Sequence, residues 1–125
     1  MSLYLIDTHI LLWWLSDDKK LTKKIKAILS NPDNEIIVSA VTLWEIAIKK
    51  SLNKLKTPDF LKEVLHENSF KILPMTGDHA LYVEHLPHIH SDPFDRLLIA
   101  QSIVEKVPLI TKDPMIHKYK VSCIY

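Results

Sequence analysis

Glycine is almost missing from this sequence: Gly77 is the only one in 125 residues. A phosphate-cradling P-loop and a dinucleotide-binding fingerprint each need several glycines at fixed offsets, so neither ATP nor NAD is expected to bind. No serine is flanked by glycines, which removes the basis for a Ser/His/Asp hydrolase. Cysteine is equally scarce. A lone Cys123 excludes an internal disulfide and a thiolate zinc site. No apolar run approaches the roughly 18 residues of a membrane span. Met1-Ser2-Leu3-Tyr4 lacks the basic region and cleavage site of a signal peptide, so a cytoplasmic protein with no membrane contact is expected. An excess of either charge is also absent. A net charge of +1 exerts no overall pull on a polyanion.

What the chain does contain is enough apolar material for a real core. Its 47% hydrophobic and 25% charged residues are ordinary for a globular fold, and one domain spanning 1–125 is expected. Short β-rich runs at 3–7, 35–40, 70–74, 108–113 and 121–125 read as strands. Between them lie helical patterns: the apolar 8–15, an amphipathic segment opening at Leu21-Thr22, the stretch from Val41 to about Lys54, a helix restarting after Thr57-Pro58, 75–86 and 93–106. The last of these, with Leu97, Leu98, Ala100, Gln101 and Val104 as its periodic set, reads as the clearest amphipathic helix of the second half. Strands alternating with helices predict an α/β domain, a three-layer α/β/α sandwich with a mainly parallel sheet of about five strands.

Four acids sit where apolar runs stop or restart. Asp7 closes Leu3-Tyr4-Leu5-Ile6, Glu45 follows the second strand by about one helical turn, Asp95 opens Leu97-Leu98-Ile99-Ala100, and Asp113 ends Leu109-Ile110-Thr111-Lys112. Each has a local explanation: Asp7 as an N-cap, Glu45 in an i,i+4 pair with Lys49, Asp95 in a first helical turn behind Asp92-Pro93, Asp113 in a turn before Pro114. Ligands of parallel α/β sheets sit beyond the carboxyl ends of the strands, and the four acids are expected to gather there. Such a cluster suits hard divalent cations, which take oxygen ligands. Thr8, Ser39 and Thr111 lie close enough in sequence to hydrogen-bond carboxylates or water.

Lysines form two clusters, Lys19, Lys20, Lys23, Lys24 and Lys26, then Lys49, Lys50, Lys54 and Lys56. Either is a solvated helix face, or it flanks the acids and holds phosphates. Lys112 and Arg96, next to Asp113 and Asp95, are candidate phosphate contacts or partners of a neighbouring acid. His79, His85, His88 and His90 match no zinc spacing and read as surface-loop residues. Trp13, Trp14 and Trp44 lie in apolar helical patterns and read as core or dimer contacts. The apolar surplus of Leu11, Leu12, Trp13, Trp14 and Leu15 points to a dimer contact on that helix.

Leu5-Ile6-Asp7-Thr8-His9-Ile10-Leu11-Leu12-Trp13, Ser39-Ala40-Val41-Thr42-Leu43-Trp44-Glu45-Ile46, Asp92-Pro93-Phe94-Asp95-Arg96-Leu97-Leu98-Ile99-Ala100-Gln101 and Leu109-Ile110-Thr111-Lys112-Asp113 together resemble the PIN-domain ribonucleases, in particular VapC-type toxins of toxin–antitoxin pairs. The resemblance implies that Asp7, Glu45, Asp95 and Asp113 bind Mg²⁺ or Mn²⁺, with Asp92 either a further ligand or a helix cap. It also implies RNA cleavage by metal-activated water, a homodimer, and a cognate antitoxin whose C-terminal segment fills the cleft; Lys49, Lys50, Lys112 and Arg96, read from charge and adjacency to the acids, are then the expected substrate contacts. From the residues alone two other readings stay open. One is a phosphoryl-transfer or phosphatase domain with Asp7 as nucleophile, although His9 stands where such sites carry a second Asp. The other is a non-catalytic interaction module whose acids cap helices.

Overall fold

The computed structural model describes residues 2–125. Along the chain run β1 (Ser2–Ile6), α1 (Thr8–Leu15), α2 (Lys23–Ser30), β2 (Asn34–Ser39), α3 (Ala40–Ser51), α4 (Leu61–Glu67), β3 (Lys71–Leu73), α5 (Gly77–Tyr82), α6 (Pro93–Glu105), β4 (Leu109–Ile110) and β5 (Cys123–Ile124), with single 3₁₀ turns at Val83–His85 and Ile116–Lys118. The five strands form one sheet in the order β3-β2-β1-β4-β5, and every pairing is parallel. The expected α/β sandwich is present.

Side-chain alternation explains the three layers. On β1, Ile6 packs with Ile10, Leu11, Ile25 and Ile46 on one face, while Leu5 packs with Ile99, Ala100 and Ile116 on the other. Strand β4 repeats the pattern in register, since Leu5 pairs with Leu109 and Ile6 with Ile110. Leu109 joins the second cluster and Ile110 the first. A one-residue slip would invert both sets, so burial on two faces fixes the register. Each fully buried Leu or Ile contributes roughly 1.5–3 kcal/mol of transfer free energy.

Helix α6 is less one-sided than the amphipathic helix expected. Leu98, Ile99, Ala100, Gln101 and Ser102 are all buried, because the helix packs against α3 and α5 as well as covering the sheet. In α1, Ile10 and Leu11 are fully buried, and Leu12, Trp13, Trp14 and Leu15 pack against the same core, with Trp14 Nε1 donating to Asn68 Oδ1 at 3.0 Å. Leu12, Trp13, Trp14 and Leu15 stay half-buried, so part of the apolar face of α1 remains at the surface. No helix among the described residues is long and apolar enough to cross a membrane.

The order β3-β2-β1-β4-β5 reverses direction at β1. Successive strands run outward on one side of it and then on the other, so a crevice opens between the carboxyl ends of β1 and β4.

Candidate metal centre

Asp7 leaves β1 at that crevice with its backbone N–H still bonded to the Ile110 carbonyl of β4, at 3.1 Å. It caps α1, its Oδ1 accepting from Ile10 N at 2.8 Å, while Oδ2 accepts from Thr111 Oγ1 at 2.5 Å. Asp7 thus caps α1 while its carboxylate borders the crevice. The side chain is almost wholly buried, and burial pushes its pKa above the usual carboxylate range, with the Thr111 and Ile10 hydrogen bonds opposing that shift.

Glu45 comes from α3, which Ser39 caps through a 2.9 Å bond from Val41 N to its Oγ. The buried side chain accepts from Thr8 Oγ1 at Oε1 (2.7 Å) and from Lys49 Nζ at Oε2 (2.9 Å). Thr8 and Thr111 thus bond carboxylates as the sequence suggested. Ser39 Oγ instead donates to Gln101 Oε1, away from the acids.

Asp95 lies in the first turn of α6, capped by Asp92, whose Oδ1 accepts from Phe94 N (2.8 Å) and Asp95 N (3.2 Å). Asp92 is a helix cap in this geometry. Burial, followed by the charges of Asp92 and Asp7, pushes the Asp95 pKa up to about 7, with His90 opposing and Glu45 adding to the rise. Asp113 follows β4; its Oδ1 accepts from Met115 N at 2.8 Å, and its own N–H donates to Thr111 Oγ1 at 3.1 Å. Thr111 therefore ties Asp7 to Asp113.

The tightest group of donor atoms among the described residues combines Asp95 and Asp113 with His90, all within 4.8 Å of one another. Asp7 and Glu45 act on Asp95 electrostatically from just outside that group. His90 was expected to be a surface-loop residue, and His79 likewise. Both expectations fail: His90 Nε2 lies 2.9 Å from Asp113 and 3.0 Å from Asp95, and the fully buried His79 closes a capping box with Thr76 and contacts Glu105 at 2.8 Å. His85 and His88 are exposed as expected. The available signal for His90 was its place two residues before an N-cap at the rim.

The candidate phosphate contacts divide. Lys112 borders a cleft of about 320 Å³ with Asp7, His9, Trp13, Asp113 and Pro114, its ammonium 6.0 Å from the Trp13 ring and 5.7 Å from that of Tyr125. Lys49 reaches the site through Glu45. Lys50, rotated about 100° further around α3, pairs instead with Asp59 at 3.2 Å. Arg96 faces away from the acids. Its buried guanidinium donates to the carbonyls of Val83, Leu86 and Pro87 and to the Tyr119 hydroxyl, at 2.8–3.4 Å. Trp44 is 55% exposed rather than in the core, with its ring edge-on to Phe94 at 5.0 Å, because α3 buries the neighbouring Val41, Thr42, Glu45 and Ile46 face.

This donor set fits a hard divalent cation. Carboxylate oxygens dominate, and no lysine or arginine among the described residues pairs with Asp7, Asp95 or Asp113. Burial, with repulsion from neighbouring acids added to it, opposes ionisation of Asp7 and Asp95.

Residues 4–121 match the PIN domain family. The chain belongs to this family. Among PIN relatives, Ribonuclease VapC22 of Mycobacterium tuberculosis (strain ATCC 25618 / H37Rv) is 25% identical over 125 residues, spanning 96% of this chain and 94% of that protein. The PIN fold recurs in VapBC2 from Rickettsia felis, solved bound to a DNA fragment from its promoter, with a TM-score of 0.73 at 16% identity over 98% of this chain and 97% of that one. A toxin–antitoxin complex from Klebsiella pneumoniae gives 0.66 at 19% identity, covering 98% and 96%.

The raised Asp95 pKa has a measurable consequence for this PIN domain. Between an ordinary carboxylate pKa near 4 and the folded value of about 7, the unfolded chain has released its proton while the folded chain keeps it, so metal-free stability falls as pH rises through that window. Asp95→Asn removes this contribution. Its stability relative to wild type, from urea unfolding in chelator, is expected to climb from near zero at pH 4 to on the order of 2 kcal/mol at pH 8, about half the full shift surviving relaxation and screening. Parallel pH profiles for the two proteins would refute the assignment.

Proposed function

We propose that this chain is a metal-dependent endoribonuclease, the toxin component of a type II toxin–antitoxin pair, built as one PIN-like domain over residues 1–125 and acting on RNA in the cytoplasm. The observation that carries this reading is the gathering of Asp7, Glu45, Asp95 and Asp113 around the crevice where strand order reverses. The relative Ribonuclease VapC22 and the VapBC and toxin–antitoxin complexes among the structural neighbours support it.

Asp7, Glu45, Asp95 and Asp113 would hold Mg²⁺ or Mn²⁺, and Asp92 serves them by capping α6. When bound, the cation supplies a nucleophilic water near neutral pH and offsets charge developing on the phosphate. Thr111 and Thr8 fix the Asp7 and Glu45 carboxylates, so these oxygens need no reorganisation as charge shifts during cleavage. Lys112 and Lys49 attract the RNA backbone toward the acids, with Lys112 held against its aromatic neighbours. The chain would act as a homodimer, and a cognate antitoxin segment would occupy the cleft beside Asp7 and Lys112. A phosphatase-type nucleophile is disfavoured, because His9 rather than a second acid stands two residues after Asp7.

The test is cleavage of single-stranded RNA with and without millimolar Mg²⁺ or Mn²⁺. Metal-dependent endonucleolytic products are expected, and an inert wild-type protein under all metal conditions would refute the reading. Substrate contacts are separable from chemistry. In an Asp7→Asn background, Lys49→Gln and Lys112→Gln are each expected to weaken RNA binding and to flatten its log–log KCl dependence by about 0.7. Lys50→Gln, paired on the flank with Asp59, is expected to leave the slope unchanged. Equal slopes for all three variants would remove Lys49 and Lys112 from the RNA path.

A further inference from the structure

His90 stands at the centre of the tightest donor group, and its hydrogen bonds define what it can do there. The backbone N–H of Asp92 donates to Nδ1 at 3.2 Å, so Nδ1 is the acceptor and the ring proton sits on Nε2. That Nε2–H donates to Asp113 Oδ2 at 2.9 Å, and the ring nitrogen lies 3.0 Å from Asp95 Oδ2. A histidine that binds a metal through Nε2 must carry its proton on Nδ1, where it would meet the Asp92 N–H head on. The arrangement makes His90 a donor to carboxylates.

The backbone on which the ring is mounted is also fixed. His90 N and Ile89 N donate to the Tyr119 hydroxyl at 2.7 and 3.3 Å. Arg96 Nη1 donates to the same hydroxyl at 3.2 Å, and its guanidinium holds the Val83, Leu86 and Pro87 carbonyls. The loop before α6 is thus anchored from both ends. Asp95 and Asp113 come from different elements, and their like charges favour rotation apart. A lysine between them would supply a full positive charge and compete with a cation. A neutral N–H donor orients the carboxylates while leaving their charge, and further lone pairs on each oxygen, for a ligand.

We propose that His90 is a positioning residue of the metal centre: its Nε2–H fixes Asp113 next to Asp95 in the approach that a divalent cation needs, and it donates to a ligand without being one. The inference rests on the metal-centre reading above and assigns a role to a residue outside the acidic quartet.

The test compares His90→Gln, which keeps an N–H donor, with His90→Leu, which keeps bulk alone. Metal-free proteins are titrated calorimetrically with Mn²⁺ and Mg²⁺ after circular dichroism and melting confirm folding. His90→Leu is expected to bind both ions about 10–100-fold more weakly, by a common factor, and His90→Gln within about threefold of wild type, as expected for an outer partner of metal ligands. Pulsed EPR of the Mn²⁺-loaded wild type, which depends on no variant folding, is expected to show no directly bonded nitrogen. Wild-type affinity in His90→Leu would overturn the positioning role while leaving the carboxylate centre intact. A nitrogen coupling lost in His90→Gln but kept in His9→Gln, with an altered Mn²⁺ to Mg²⁺ ratio, would instead make His90 a ligand and refute the proposal. Failure of the wild type to bind either ion at millimolar concentration would overturn the proposal and the metal-centre reading together.

Discussion

Asp7→Asn is expected to reduce RNA cleavage by about a thousandfold while the protein stays folded. The loss reflects a direct ligand of the proposed centre: several kcal/mol of charge stabilisation disappear, at about 1.4 kcal/mol per tenfold in rate. The fold survives because Asn is as good an N-cap as Asp, so Oδ1 still accepts from Ile10 N, and the new amide can donate to Thr111 Oγ1. Removing a buried carboxylate whose ionisation is disfavoured also relieves the apo protein. Metal-free melting is therefore expected to rise in the same preparation that loses activity. Single-turnover cleavage and melting of one sample measure both, and wild-type cleavage by Asp7→Asn would refute its role.

Arg96→Ala is expected to behave in the opposite way, with a loss of about 3–5 kcal/mol in stability. Three backbone carbonyls and a buried hydroxyl lose their charged donor and remain away from water. Against a total of roughly 5–15 kcal/mol for a domain of ordinary stability, this is a large fraction. Urea unfolding measures it. A phosphate-binding Arg96 predicts the reverse: unchanged unfolding with weakened RNA binding.

The contrast between these residues shows what the sequence could disclose. Asp7 and Asp113 were readable because each ends a strand, and a parallel sheet brings strand ends to one rim whatever the intervening chain does. Strand and helix order was readable for the same reason, since the periodicities at Ile36-Ile37-Val38 and Ile25-Ile28-Leu29 are local. Arg96 was misread because adjacency to Asp95 in sequence is not adjacency on a helix: the side chain leaves α6 toward carbonyls 9–13 residues upstream and a hydroxyl 23 residues downstream. His90 failed similarly, as its partner Asp113 lies 23 residues away and no spacing rule links them. Lys49 and Lys50 looked equivalent in a charge cluster. One step around the helix gives them different acids. The burial of α6 from Leu98 to Ser102 was hidden because Gln101 and Ser102 are polar, and their burial is made tolerable by bonds to Ser39, Pro74 and Val107 that only the folded chain supplies.

The hydroxyl that holds Asp7 lies 104 residues downstream of it, on the far side of the β1–β4 pairing. During synthesis, Asp7 and Glu45 leave the ribosome long before Thr111 and Asp113 exist. At typical translation speeds this interval lasts on the order of 5–20 s. Until it ends, β1 has no β4 beside it, and the acids already made remain ordinary solvated side chains. Under the proposed function, nascent and prematurely terminated chains are therefore harmless to the RNA around them, and nuclease activity begins only after β4 has docked.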